Sequence, residues 1–308
     1  MKKLKIGIAG PGAVGGYYGA CLARAGMDVK FLGRGSHLDA IKELGLSIKS
    51  YNGDFHVNPF ASDDPAEIGP CDLILFCVKS FDSANMGRLI KPMVGSSTVI
   101  LSLQNGVENE EILGGLYGSD KVLAGVAFIG SRIEKAGEII HSASGNITFG
   151  ESGGGVSART EELEEIFTGA GIKARLSDDM RKVMWQKMVW NCGFNAITAL
   201  TGCSAAEVLL LEETREIVRK TMEEVIVVAA ALGIKLDAGL PEKTMAHTEK
   251  QGEIRTSMLV DMGKGQKMEI DGLNGAVCRK GGEKGVPTPV NGILYGMIKA
   301  INKRMENQ

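Results

Sequence analysis

The run Gly10-Pro11-Gly12-Ala13-Val14-Gly15 constrains this chain more than any other. It fits G-x-G-x-x-G, follows directly on the apolar residues Ile6-Gly7-Ile8-Ala9, and opens a helical pattern over residues 13–25. Glycine-rich turns are common, so the motif carries weight only because a strand precedes it and a helix follows. Each glycine then has a mechanical reason. The first makes the tight turn, the second admits a pyrophosphate close to backbone, and the third lets helix and strand pack closely. The helix N-terminus presents its unbonded N–H groups to the phosphates. Residues 10–15 are therefore expected to bind a dinucleotide.

The rest of the first half supports a fold of that kind. Short apolar runs at residues 5–9, 29–32, 72–78, 98–101 and 122–128 read as strands, separated by helical stretches. Near-continuous apolar strands alternating with helices predict a parallel sheet covered on both faces. The run Ser152-Gly153-Gly154-Gly155 reads as an internal loop before another α/β segment. Near Ser177 the texture changes, and residues 182–200 and 212–232 carry long helical patterns. Glu216 and Lys220 stand at i,i+4 spacing in the second of these. The fold class expected is α/β: a Rossmann-type doubly wound parallel sheet over residues 1–178, then an all-α domain over 179–308.

The end of the second strand selects the dinucleotide. An NAD-binding chain places an acid about 20 residues after the glycines, to hold the ribose 2′-hydroxyl. Here the strand ends in Gly33-Arg34-Gly35, with Arg34 19 residues beyond Gly15 and no acid at that point. A guanidinium matches a 2′-phosphate in charge and shape. NADP(H) is thus the expected cofactor. Two further strand ends add polar groups where open α/β sheets bind ligands. Lys79 follows Phe76-Cys77-Val78, and Asn105 lies in Gln104-Asn105-Gly106.

In the second half, Lys187, Asn191 and Asn195 are spaced i, i+4, i+8 and share one helix face. Their neighbours Met184, Trp185, Met188, Val189, Trp190, Phe194 and Ile197 are apolar and cover several other faces. A polar stripe in a mostly buried helix costs free energy unless partners satisfy it. A stripe that lines a cleft and binds a polar ligand resolves that conflict. Both tryptophans flank Lys187, and partial desolvation would lower its pKa toward a catalytic range.

These features occur together and in order, and the late segments Arg255-Thr256-Ser257-Met258-Leu259-Val260-Asp261 and Glu269-Ile270-Asp271-Gly272-Leu273-Asn274-Gly275 join them. Over nearly its whole length the chain resembles the ketopantoate reductase (2-dehydropantoate 2-reductase) family, NADPH enzymes of pantothenate biosynthesis. The resemblance implies that Lys187 donates a proton to a ketone oxygen. It implies that Asn191, Asn195 and Ser257 hold the carboxylate and hydroxyl of the substrate. Asn105 resembles a residue shared by cofactor and substrate, and Glu269 one that contacts the nicotinamide ribose. Some members carry another substrate-binding asparagine ten residues after Asn195, where this chain has Ala205.

Composition excludes several other classes. Lys and Arg number 35 against 37 Asp and Glu, so a broad basic surface for nucleic acid is not expected. Glycine reaches 42 of 308 residues without a G-X-Y period, which excludes collagen. Six cysteines without a C-x-x-C pair, several in apolar runs, read as free thiols of a cytoplasmic protein. No apolar run approaches the ~18 residues of a membrane span. The histidines at 37, 56, 141 and 247 have no ligand spacing, so no metal is expected. The Met- and Leu-rich helical half would serve equally as a core or as a homodimer face. The readings that compete with ketopantoate reduction are a related NADPH reductase of another small 2-oxo acid and a non-catalytic NADP-binding sensor.

Overall fold

A computed structural model describes residues 4–306. The chain forms two compact units. The first runs to Gln104 and resumes over Asn109–Met180; the second takes Asn105–Glu108 and the described residues from Arg181 onward.

The first unit is built on one ten-stranded sheet. Its strands are β1 Lys5–Ala9, β2 Asp28–Leu32, β3 Leu46–Ser50, β4 Phe55–Val57, β5 Phe60–Ser62, β6 Cys71–Phe76, β7 Val94–Ser102, β8 Val122–Lys135, β9 Glu138–Glu151 and β10 Lys173–Leu176. They lie in the order β4-β3-β9-β8-β7-β6-β1-β2-β5, with β10 also paired to β9. Helices α1 Ala13–Arg24, α2 Gly35–Leu44, α3 Pro65–Ile68, α4 Ser83–Leu89, α5 Asn109–Tyr117 and α6 Ala158–Gly169 connect them. Strands β1, β2, β6, β7 and β8 pair in parallel, as the apolar runs predicted, and β5, which no apolar run marked, adds to β2 in parallel. Successive residues of β6 feed opposite cores: Leu73 and Leu75 pack into one, Ile74 and Phe76 into the other. That two-sided burial is why the strand reads as a continuous apolar run.

The chain runs from β1 to β2 on one side, whereas β6 joins β1 on the other. This reversal between β1 and β6 is a topological switch point, and doubly wound sheets bind nucleotides beyond the carboxyl ends of the strands at such a point.

An antiparallel hairpin of β8 and β9, each fourteen residues long, extends the parallel sheet. The sequence pattern showed only residues 122–128 of it. Residues 129–135 and most of β9 mix Gly, Ser, Lys and Glu with isolated apolar residues, because one face meets solvent. Gly137 turns the hairpin at φ +75°, a backbone conformation that favours glycine.

The second unit is helical: α7 Met180–Thr201, α8 Glu212–Ala231, α9 Leu240–Lys250, α10 Ser257–Gly263, α11 Asn274–Glu283 and α12 Pro289–Glu306. Its core gathers Met188, Val189, Cys192 and Phe194 of α7 with Met222 and Val225 of α8 and Ile298 of α12. The Glu216–Lys220 pair forms at 3.4 Å, as its spacing suggested. All six cysteines are free, with Cys21, Cys71 and Cys192 buried. Among the described residues no helix is long and apolar enough to cross a membrane.

Candidate active site

The glycine loop of the first unit is shaped by contacts that leave no room for side chains. Gly10 sits at φ +91°, and a Cβ there would lie 2.6 Å from Val78 Cγ1 at the end of β6. A Cβ on Gly15 would lie 2.3 Å from the Gly10 carbonyl and 2.9 Å from Cys77 Cβ. These clashes involve backbone and short side chains that cannot swing aside, so both glycines are sterically required. Gly12 differs, because a Cβ there would meet nothing within 4 Å. It is the N-cap of α1, makes no side-chain cap, and opens a first turn that holds no acid. The first-turn N–H groups of α1 and the clearance at Gly12 form a cradle that fits a pyrophosphate.

His37 braces that cradle. Its Nδ1 accepts from the Gly137 N–H at 3.1 Å, which leaves Nε2 protonated to donate to the Pro11 carbonyl at 3.1 Å. Burial holds its pKa below the ordinary value, so the ring stays neutral in this bracing role. Sequence spacing gave no sign of this, since the partners lie 26 and 100 residues away.

Arg34 is the N-cap of α2, directly after β2 and Gly33, and its side chain is 79% exposed. Although no acid follows at the end of β2, Asp82 reaches it from the loop after β6, with Nη2–Oδ2 at 2.6 Å. Lys79 opens the same turn, and its carbonyl accepts from the Asp82 N–H at 2.8 Å. The carboxyl ends of β1, β2 and β6 therefore carry Gly10–Gly15, Arg34 and Lys79, together with an acid that the sequence did not reveal.

A polar network lies beneath the end of β7. The Gln104 amide donates to the Val78 carbonyl at 2.8 Å and to Ser83 Oγ at 2.7 Å, and Ser83 donates to Asn109 Oδ1 at 2.9 Å. Glu110, in the first turn of α5, has its pKa pushed up to about 7 by burial, against the pull of Ser102 and a backbone N–H. A carboxyl whose folded pKa exceeds its unfolded value stabilises the fold fully below the unfolded pKa, near 4.5, and loses that contribution as pH rises to about 7. Wild type should accordingly lose up to ~3 kcal/mol relative to Glu110→Gln between pH 4.5 and 8. Urea unfolding of both proteins at several pH values checks this, and a difference that stays constant across the range refutes it.

In the second unit, α7 places Lys187, Asn191 and Asn195 on one face. Burial lowers the Lys187 pKa to about 8, while the charge of Glu269 pulls it back upward. Trp185 is buried, and half-buried Trp190 donates its indole N–H to Thr248 Oγ1 at 3.2 Å. Asn195 is 1% exposed, and its amide N–H groups reach the Asn191 carbonyl at 3.0 Å and the Asn191 side-chain oxygen at 3.3 Å. Its own oxygen accepts from Ser257 Oγ and from the Met258 N–H, both at 3.4 Å. Asn195 thus links Asn191 of α7 to the exposed Ser257 at the start of α10.

Thr256 explains that start. It N-caps α10 by accepting from the Leu259 N–H at 3.1 Å, and it meets Thr198 of α7 at 2.7 Å between hydroxyl oxygens. A threonine immediately before an apolar helical run is a cap signal that the sequence does carry. Glu269 is buried in the turn that precedes α11, where Asn302 of α12 brackets Met268 with two bonds of 2.9 Å. Asn105 groups with this unit. Ala205 is fully buried, with its N–H bonded to the Ile254 carbonyl at 2.9 Å. Among the described residues no cluster of His, Cys, Asp or Glu could hold a metal ion.

The second unit thus gathers a lysine of depressed pKa, a carboxylate, two linked asparagines and a serine, while the first holds a glycine turn that opens on a helix N-terminus. Sequence profiles decide the family. The profile described as Ketopantoate reductase PanE/ApbA matches residues 6–154, and that of the same family's C-terminal part matches residues 179–302.

The chain belongs to the ketopantoate reductase family. It is 31% identical to a 2-dehydropantoate 2-reductase of Nostoc over 99% of this chain and 97% of the relative. The crystal structure of a 2-dehydropantoate 2-reductase from Geobacter metallireducens superposes with a TM-score of 0.91 at 37% identity, covering 96% of this chain and 99% of that one. The ternary structure of D-mandelate dehydrogenase with NADH and anilino(oxo)acetate is also similar, with a TM-score of 0.90 at 25% identity, covering 98% and 99%. The same fold is thus shared by a 2-dehydropantoate 2-reductase and by a D-mandelate dehydrogenase solved with NADH.

Proposed function

We propose that this chain reduces 2-dehydropantoate to pantoate with NADPH, as a cytoplasmic step of pantothenate synthesis. The observation that carries this reading is Lys187, whose pKa burial lowers to about 8 on the helix face that bears Asn191 and Asn195. A lysine in that state is an effective general acid near neutral pH.

NADPH, when bound, supplies the hydride. Its pyrophosphate suits the cradle of Gly10, Pro11, Gly12, Ala13, Val14 and Gly15, its 2′-phosphate suits Arg34, and Lys79 adds positive charge. Asn105 and Glu269 take the nicotinamide ribose, with Asn105 shared by the substrate. As the ketone accepts hydride, negative charge grows on its oxygen. The Lys187 ammonium stabilises that charge and then donates its proton there. Asn191 and Ser257 offer neutral donors to the substrate carboxylate, which avoids a surplus of positive charge beside the lysine. Asn195 completes the substrate set by holding Asn191 and Ser257 in place.

A sensor would need the dinucleotide cradle alone, and a lysine tuned by burial next to Glu269 gives it no advantage. Reduction of another small 2-oxo acid is the second reading, favoured by Ala205 and by the likeness to a D-mandelate dehydrogenase. Oxidation of NADPH and of NADH with a panel of 2-oxo acids separates the three. Greatest kcat/KM for 2-dehydropantoate with NADPH is the expected result, and turnover of none of the acids would overturn it. In the same assay Asn191→Ala should raise KM for the oxo acid roughly tenfold, the loss of one hydrogen bond to a charged group. Its KM for NADPH should stay near that of wild type.

A further inference from the structure

Residues Asn105–Glu108 group with the second unit although the chain on either side of them belongs to the first. Val107 packs on the apolar core of that unit. At the end of the segment, Arg279 of α11 grips the Glu108 carboxylate in a fork, with Nη2–Oε2 at 2.6 Å and Nε–Oε1 at 3.3 Å. The same Nη2 donates to the Asp271 backbone carbonyl at 2.7 Å. Asp271 lies two residues beyond Glu269, and its carboxylate accepts from Tyr295 of α12 at 2.7 Å. One guanidinium therefore ties two short segments together. One begins with Asn105 and the other with Glu269.

We propose that Arg279 is a positioning residue that sets the spacing of Asn105 and Glu269, and through them the fit of nicotinamide ribose and oxo acid. The proposal rests on the functional reading of those two residues. Its physical basis is the guanidinium itself. A planar fork can hold a carboxylate through two nitrogens and still donate to a carbonyl in a fixed direction, which a lysine ammonium cannot reproduce. Arg279 is 45% exposed and Glu108 23%, so solvent screens the pair and its share of overall stability is small. Its effect falls on geometry, where a shift of about an ångström in a contacting group costs far more in rate than in stability.

The test uses Arg279→Ala, Arg279→Lys, Glu108→Gln and the Arg279→Ala/Glu108→Gln double variant. The readouts are steady-state kinetics, thermal midpoints and amide hydrogen exchange. Arg279→Ala and Glu108→Gln should each lower kcat/KM for the oxo acid about tenfold, and the double variant should lose no more than the worse single. Arg279→Lys should leave the loss unrepaired, and the midpoint should stay within about 2 °C of wild type. Exchange at residues 106–108 and 270–272 should rise together in Arg279→Ala. Losses that multiply in the double variant, full activity in Arg279→Ala, restoration by lysine, or faster exchange in one segment alone would each overturn the proposal. A wild type inactive on every 2-oxo acid would sink the functional reading, and the exchange result would then decide the role of Arg279.

Discussion

Replacing Lys187 with alanine is expected to lower kcat by roughly 10²–10⁴, the usual scale for loss of a general acid. The side chain sits where burial disfavours its charge, and the carboxylate of Glu269 supplies the opposing pull. The result is an ammonium with a pKa of about 8 that is still mostly protonated at neutral pH. It can therefore stabilise an alkoxide and release a proton in the same event. The wild-type kcat/KM should fall as pH rises through about 8, because deprotonation of Lys187 removes both the charge and the proton. That limb should vanish in Lys187→Ala. If the lysine only held the substrate carboxylate, the variant would show a raised KM and an intact kcat. Steady-state kinetics from pH 6 to 9.5 on both proteins decide the matter, and a near-normal kcat in the variant removes Lys187 from the chemistry.

Arg34→Ala is expected to weaken NADPH binding roughly 10- to 150-fold, from the ~1.5–3 kcal/mol of a hydrogen bond to a charged group. NADH, which lacks the 2′-phosphate, should bind nearly as before. The ion pair with Asp82 sharpens this expectation. In the free protein the guanidinium already holds a carboxylate, so a phosphate must displace or share that partner. Asp82→Asn frees the arginine and removes a nearby negative charge, and it should strengthen NADPH binding while leaving NADH little changed. Fluorescence titration of both nucleotides against wild type and the two variants measures all of these effects. Equal losses of NADPH and NADH in Arg34→Ala would show that the residue does not read the phosphate.

Some of the chemistry was legible in sequence because its causes are local. Gly10 and Gly15 are dictated by a turn and a packing contact, both completed within a few residues of a strand that is itself a readable apolar run. Lys187, Asn191 and Asn195 share a face because helical geometry places every fourth residue there, whatever surrounds the helix. Two-sided burial marks β6 and its parallel neighbours in the same way. The α/β class and the glycine turn between β1 and α1 follow from such features alone.

The tertiary structure decided which distant groups meet. Asp82 finds Arg34 across 48 residues, His37 accepts from Gly137 across 100, and Arg279 grips Glu108 across 171. A charged or polar side chain looks the same in sequence whether its partner is water or a residue on another element, so periodicity carries no record of these pairs. The β8–β9 hairpin was partly hidden for a related reason, since a strand with one wet face dilutes its apolar signal. The depressed pKa of Lys187 belongs with these long-range effects. Burial in the folded helical unit lowers it, and the opposing charge of Glu269, 82 residues away, reaches it only once that unit has folded.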